Sequence, residues 1–504
     1  MPLLIGIDLG TTHLKALAID EEGHPRASAS IPTPATDEGD GRVVYDPEAV
    51  WQSVCQVLDA VLRGTDQRVA GIACASMGEA GFLLDEGGTP LWPAIAWFDP
   101  RTRPLEQWWQ DHVGRARIRS ITGLSMDFTY SLNKILWYRD ADPDRFARAR
   151  HWLGMAEWVA FKLSGHMATN YSLASRTMAF DLLREEWADE LLEAASLPRS
   201  LLPPVLPAGT PLGPVTAGAA GETGLPAGTV VCVGAHDHIC AALAAGAITP
   251  GVILNSCGTA ETMLTTLDRA SASEAMPDER VVVGHHLFPN LYYVMTSFRT
   301  SGLSADWFVH HLLTGGSPSH EAFAGRAAES AVGARGLLFY PYLRDASDQR
   351  HGAGSSGLLV GLRDFHTNAD VARALIEGLA FEARRMFDRL QAVMQQPAQV
   401  VRAVGGSTAN PVWMQVKADV LGIVVDVLEM KEATAYGAAL LAGLGTGTFS
   451  DVRRMPEDST RVRGRYVPDP TRHQAYDGLY RRYLSLLPSV IEVGARLQGS
   501  SQRR

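Results

Sequence analysis

A carboxylate inside an apolar run is costly, and VCVGAHDHICAALAAG, residues 231–246, carries one at Asp237, between His236 and His238. Burial of such a group is unfavourable by several kcal/mol unless something pairs with it or needs it. TVVCVGA reads as a buried strand and HDHICAALAAGA as a helix, so Asp237 stands at a strand-to-helix junction. A carboxylate there can take a proton from a substrate hydroxyl, the part a base plays in phosphoryl transfer. A helix N-cap aspartate is common at such a junction, and the two roles are compatible because a capped side chain is held rigidly.

Two further stretches carry the residue types that phosphate needs. Asp8-Leu9-Gly10-Thr11-Thr12 places an acid, a glycine and two hydroxyls in succession. Glycine in a tight turn lets backbone N–H groups close on a phosphate, and the hydroxyls add donors. An acid at a strand end can hold Mg²⁺ through water. Ser256, Gly258 and Thr259 repeat the arrangement in the second half. Either stretch alone also fits an ordinary hairpin turn; together they favour two phosphate-facing turns. Gly405-Gly406-Ser407-Thr408-Ala409-Asn410 ends an apolar strand, where glycines let the backbone approach a planar ligand. The plainer reading is a strand-to-helix turn capped by Ser407. GAGSSG, residues 352–357, matches GxGxxG in letters but follows a polar loop rather than a strand, which excludes a Rossmann site. His236 with His238, and His285 with His286, are the residue types of a zinc site, but no Cys/His/carboxylate set of matching spacing accompanies them.

The elements that must position these residues alternate. LLIGIDLGTTHLKALAIDEEG reads as two strands about a Gly-Thr-Thr turn, and GVILNSCGTAETMLTTLD has the same design. EWVAFKLSG and DELLEAASL read as helices, and LPPVLPAGTPLGPV as a Pro/Gly-rich surface connection. Beyond ITPG come a strand in GLLFYPYL, a helix in DVARALIEGLAFEARRMFDRL, a strand in VVRAVGGS and a helix in NPVWMQVKADVLG. Strands alternating with helices predict an α/β fold. At 504 residues two domains are expected, residues 1–245 and 246–504, and the GSSQRR tail is expected to be disordered.

Composition narrows the class. The chain is 46% hydrophobic and 20% charged, which describes a soluble globular protein. A net charge of -10 without a basic stripe argues against nucleic acid as a partner. No apolar run of membrane-spanning length and no basic leader segment occurs, so neither a membrane partner nor secretion is expected. Five cysteines without a CxxC predict buried, reduced thiols and a cytoplasmic setting.

The strand-D-x-G-T-T element, then GAHDH, then the Gly-Thr turn, then GGSTANPVWMQVKADVLG resemble the FGGY carbohydrate kinases in order and spacing. YDPEAVW, AIAWFDPRT, TNYSLASRTMAFDL, GLLFYPYL and EGLAFEARRMFD extend the resemblance over nearly the whole chain. It implies two actin-like ATPase domains of ribonuclease H-like type with an interdomain cleft, and ATP-dependent phosphorylation of a sugar or polyol hydroxyl with Mg²⁺. It implies Asp237 as base and metal neighbour, Asp8 as the Mg²⁺-linked carboxylate, and Gly10, Thr11 and Thr12 as the first phosphate turn. Gly258 and Thr259 match the second phosphate turn, and Gly405, Gly406 and Asn410 the adenosine-binding turn.

Substrate choice is expected to lie in SMGEAGFLLD, residues 76–85. Xylulose kinases resemble one another there in a Met-His-Gly element and glycerol kinases in an Arg-Glu pair; this chain has Met77, Gly78 and Glu79. Glu79 aligns with the polyol-binding glutamate, without its neighbouring arginine. A carboxylate there would accept two sugar hydroxyls. Trp97 is expected to supply an apolar sugar contact, Asp99 another acceptor, and His238 a further substrate contact. The loop PYLRDASDQRHGAG departs from the family's Gly-Glu-Arg-x-Pro element. A ketopentose such as xylulose leads the substrates, with glycerol or another short polyol behind it. An actin-like ATPase or a non-catalytic sugar sensor are the alternatives, and a homodimer is one assembly open to the chain.

Overall fold

The computed structural model describes residues 2–64, 67–313, 318–343, 356–451 and 460–499. Most of GAGSSG, the loop after Leu343 and nearly all of the GSSQRR tail therefore lie outside the described residues. The chain forms two compact units. The first comprises Met1–Ile248, Thr266–Val294 and Glu432–Thr460; the second comprises Thr249–Thr265, Met295–Lys431 and Arg461–Arg504. A single cut after residue 245 does not describe this division, because two later segments return to the first unit.

In the first unit, strands β1 (Leu3–Leu9), β2 (His13–Ile19), β3 (Pro25–Pro32), β4 (Val69–Ser76), β5 (Pro211–Pro214) and β6 (Val230–His236) make a six-stranded sheet in the order β5-β6-β4-β1-β2-β3. β1, β4 and β6 run parallel, while β2 and β3 fold back as a meander. β1 and β4 are apolar on both faces, as parallel strands buried on both sides must be. β5 falls inside the segment expected to be a surface connection. It pairs only with β6, and an edge strand is the place in a sheet that tolerates proline.

Helices cover the sheet. Helix α1 (Pro47–Arg63) begins with Asp46 as its N-cap, accepting from the Ala49 N–H, and buries Val50, Trp51, Val54, Val57, Leu58 and Val61. α2 (Met155–Ser164) joins the same core through Trp158, Val159 and Leu163. α3 (Asp237–Ala244) follows β6 directly. From the returning segment, the helix Ala433–Gly445 lies so close to β1 that a Cβ on Gly6 would stand 1.8 Å from the Ala435 carbonyl oxygen. Only glycine admits that approach.

The second unit repeats the plan. β7 (Val252–Cys257) and β8 (Glu261–Leu267) form an antiparallel hairpin, and β9 (Val400–Val404) and β10 (Val425–Leu428) continue parallel to β7. α4 (Ser301–His311), α5 (Asn368–Val393) and α6 (Pro411–Leu421) belong to this unit, and α5 carries a capping box between Thr367 and Asp370. The two hairpins expected from sequence are both present, each joined through its first strand to parallel neighbours.

Candidate active site

Parallel strands direct their carboxyl ends the same way, and ligand-binding residues gather there. In the first unit Asp8 is level with Ala75, which is level with Ala235, and Leu9, Ser76 and His236 form the next row. Asp8 and Asp237 thus stand at one sheet end, two strand spacings apart, about 10 Å between backbones. Asp8 feels the Asp237 charge. The Asp8 carboxyl is pushed up to about 8, first by burial and then by the Asp237 charge, with Lys15 pulling the other way. Lys15, opposite Asp8 on β2, is itself paired with Glu432 at 2.6 Å. Among the described residues the Asp8 carboxylate accepts no hydrogen bond. A half-buried acid without a hydrogen-bond partner, beside a second acid, is a donor set that suits a divalent cation.

Asp237 is the first residue of α3, and His236 occupies the cap position. The expected N-cap aspartate is corrected by one residue: its Oδ1 accepts the neighbouring His238 N–H at 2.5 Å instead. The side chain keeps about a quarter of its surface open, 25%. Burial raises its pKa, the His238 charge and N–H oppose that, and Glu79 adds to it while Arg176 subtracts. His236 Nε2 lies 3.1 Å from Asp237 Oδ1, and burial holds that imidazole neutral. The result is a carboxylate more basic than usual, held in place and still accessible.

Gly10, Thr11 and Thr12 form the turn between β1 and β2, closed by the Gly10 N–H on the His13 carbonyl at 3.2 Å. Thr33 Oγ1 donates to the Gly10 carbonyl at 2.7 Å. Trp97 Nε1 donates to Thr11 Oγ1 at 2.9 Å, so the indole expected on the sugar is tied to the turn between β1 and β2. Asp99 is fully buried. It accepts the Val43 N–H at 2.8 Å and, from Arg101, the backbone N–H, Nε and Nη2. Four donors fill a carboxylate. Asp99 therefore holds the fold and leaves no acceptor for a substrate hydroxyl, which corrects the expectation for it. His238 packs edge-on against His236, ring centroids 5.4 Å apart, beside Asp237.

Glu79 is buried and meets an arginine from another part of the chain. Arg176 Nε donates to Glu79 Oε1 at 2.8 Å, and Nη2 donates to the same oxygen. The arginine that meets Glu79 thus comes from ASRTMAF, a stretch whose spacing gives no hint of the pairing.

In the second unit the turn after β7 is clamped by α4. The Gly302 N–H donates to the Gly258 carbonyl at 3.1 Å and the Leu303 N–H to the Thr259 carbonyl at 3.2 Å. Gly405 follows β9, the parallel neighbour of β7, with φ of 103° and ψ of 172°. A Cβ there would stand 2.6 Å from the Cys257 carbonyl oxygen. Gly406 faces open space. Asn410, not Ser407, caps α6, accepting the Trp413 N–H at 3.0 Å, while its buried Nδ2 has no partner.

Beneath these turns lies a buried network that sequence reasoning did not find. Lys417 Nζ donates to Glu261 Oε1 at 2.6 Å and to Asn255 Oδ1 at 2.7 Å, and lies 3.3 Å from Cys257 Sγ. Ser301 Oγ donates to the other Glu261 oxygen at 2.7 Å. Glu261 thereby ties the β7–β8 hairpin to α4 and to α6. The neighbouring charges keep Lys417 protonated against the effect of burial, while burial pushes Cys257 up to about 12.

His285 Nε2 lies 3.1 Å from Glu185 Oε1, and neither histidine pair joins a three-ligand group among the described residues. The one such group, Asp20, Glu22 and His24, is a turn in which Asp20 already accepts from Arg26 and from two backbone N–H groups. All five cysteines are free thiols, and four are buried. Among the described residues no helix is long and apolar enough to cross a membrane.

Residues 3–244 match the N-terminal domain model of the FGGY family of carbohydrate kinases, and residues 253–446 match its C-terminal domain model. The chain belongs to that family. A xylulose kinase of Staphylococcus epidermidis is 26% identical over 505 residues, covering 98% of each chain. A glycerol kinase of Gloeobacter violaceus is 32% identical over 463 residues, 89% of each. The crystal structure of a xylulose kinase from Rhodospirillum rubrum superposes with a TM-score of 0.88 at 30% identity, covering 97% of this chain and 99% of that one. The two units are accordingly of the ribonuclease H-like, actin-like ATPase type. The protein is an ATP-dependent kinase of a sugar or polyol hydroxyl.

Proposed function

We propose that the acceptor is a ketopentose such as xylulose, with glycerol or another short polyol as the alternative, and that Asp237 is the base. The observation that carries this reading is the state of Asp237: made more basic by burial, fixed by the His238 N–H, partly open, and beside Glu79. A base must be poised near the working pH and held within reach of the hydroxyl it serves. Asp237 takes the hydroxyl proton as the oxygen attacks the terminal phosphoryl group, and Glu79 orients the acceptor. The polyol alternative draws support from the Glu79–Arg176 pair and from the 32% identical glycerol kinase.

Asp8 and Asp237 would hold Mg²⁺, which when bound supplies charge neutralisation at the transferring phosphoryl group. Gly10, Thr11 and Thr12 would receive phosphate oxygens through backbone N–H and hydroxyl donors. Residues 1–245 would serve the sugar and the base. Residues 246–504 would serve the nucleotide, with Gly258 and Thr259 on phosphate and Gly405, Gly406 and Asn410 on the adenosine, where the unpartnered Asn410 Nδ2 is a ready donor.

The test is ADP release, followed by a coupled assay, over a panel of ketoses, polyols and aldonates, with Asp237→Asn run in parallel. One acceptor should give strong turnover, and the variant should lower kcat by about 10²–10⁴-fold while still binding ATP. Near-full activity in Asp237→Asn, or steady ATP hydrolysis that no acceptor stimulates, would overturn the reading.

A further inference from the structure

Glu79 uses only half of its carboxylate within the fold. Both bonds from Arg176 end on Oε1, and among the described residues Oε2 accepts nothing. The guanidinium is equally incomplete. Arg176 is 8% exposed, and its Nη1 is buried with no hydrogen-bond partner. A guanidinium offers five N–H donors, and buried donors are nearly always satisfied. The Tyr130 ring lies 5.3 Å from the guanidinium carbon, and Tyr293, whose buried hydroxyl makes no hydrogen bond of ordinary geometry, stands close enough to feel the Arg176 charge.

Gly78 fixes the arginine from the other side. A Cβ at 78 would stand 2.7 Å from Arg176 Cγ, 2.8 Å from its Cβ and 3.0 Å from His236 Cδ2. The space an ordinary residue 78 would fill belongs to Arg176, against the histidine that adjoins Asp237. An unused donor edge and an unused acceptor oxygen on one ion pair, next to the base, make a composite recognition element.

We propose that Arg176 is a specificity-determining residue, its Nη1–H donating to one acceptor hydroxyl while Glu79 Oε2 accepts from the adjacent one, so that the pair reads a vicinal diol. The inference rests on the reading of Glu79 as a substrate residue. An acceptor that lacks either hydroxyl leaves a buried donor or acceptor unpaired and is rejected by about 10²-fold or more in kcat/KM.

The experiment compares the wild-type chain with Arg176→Gln, Arg176→Lys and Glu79→Gln. The acceptors are D-xylulose, its 3-deoxy analogue, glycerol, 1,2-propanediol and 1,3-propanediol, with KM for acceptor and for ATP measured separately. In Arg176→Gln the KM for the acceptor should rise about 10²-fold with the KM for ATP unmoved. The preference for the full acceptor over its deoxy analogue should collapse toward unity. Arg176→Lys, which keeps the charge and the fold but not the planar fork, should lose most of the preference as well. An unchanged preference in either variant, with only thermal stability lowered, would overturn the proposal and leave Arg176 as a support for Glu79. If Glu79→Gln also leaves the acceptor KM unmoved, the underlying reading of Glu79 falls with it. Silence of the wild type on every acceptor overturns the ketopentose and polyol reading, and the diol proposal with it.

Discussion

Trp97 directs its one polar atom into the turn between β1 and β2, where the indole N–H fixes the Thr11 hydroxyl at 2.9 Å. With Oγ1 accepting from the indole, the Thr11 hydrogen would, under the proposed phosphate role of this turn, point at a phosphate oxygen. Trp97→Phe keeps an aromatic ring in the half-buried site and removes only that donor. A net hydrogen bond contributes about 1 kcal/mol, so the KM for ATP should rise about fivefold with the acceptor KM little changed. A variant that shifts the acceptor KM instead would put the ring against the sugar, as the sequence suggested. The contrast between Glu79 and Asp99 shows how far single residues can be read. Both are buried acids in the first third of the chain, and residue type and burial do not separate them. What separates them is which arginine each meets: Arg101, two residues along, saturates Asp99, whereas Arg176, ninety-seven positions away in sequence, leaves one Glu79 oxygen open. Asp237 and Asp8 draw notice in the sequence because an acid inside an apolar run has few structural reasons to be there.

At the scale of elements, the two Gly-Thr hairpins were legible because alternating apolar runs on either side of a polar turn allow little else. The β5 edge strand was not, since Pro and Gly at an unpaired edge look the same as a loop. The cap of α6 was misplaced by three residues: Ser407 and Asn410 are both good caps, and the short 3-10 turn Gly406–Ala409 decides between them. That turn depends on Gly405. Its φ of 103° with ψ of 172° is a conformation open essentially to glycine alone, at a cost of about 1–3 kcal/mol for other residues, and its Cβ position collides with the Cys257 carbonyl. Gly405→Ala should therefore lower stability by roughly 2–3 kcal/mol or more and push the turn away from β7. In the reading above the KM for ATP rises with it and the acceptor KM does not. Denaturant unfolding and steady-state kinetics check both halves; a variant as stable as wild type would show that the turn relaxes freely.

At the scale of the whole molecule, the return of Thr266–Val294 and Glu432–Thr460 to the first unit left no local mark in the sequence, because contacts between segments far apart in the chain carry no periodicity. The 266–294 segment brings a liability with it. His286 is fully buried there, and neither ring nitrogen has a partner. Burial first, and the neighbouring His285 second, push its pKa from 6.5 down to about 3. Folding therefore holds this ring neutral where the unfolded chain would protonate it. Between pH 6.5 and pH 3 the unfolded state binds the extra proton, so stability is complete above 6.5 and drains as the pH falls through that window. The slope approaches about 1.4 kcal/mol per pH unit. His286→Phe removes the titrating group while filling the space. Urea unfolding from pH 7 to pH 4 should show the variant losing roughly 3 kcal/mol less than wild type over that range. Parallel declines would mean that His286 gains a proton within the fold, and that the segment opens to water before the unit unfolds.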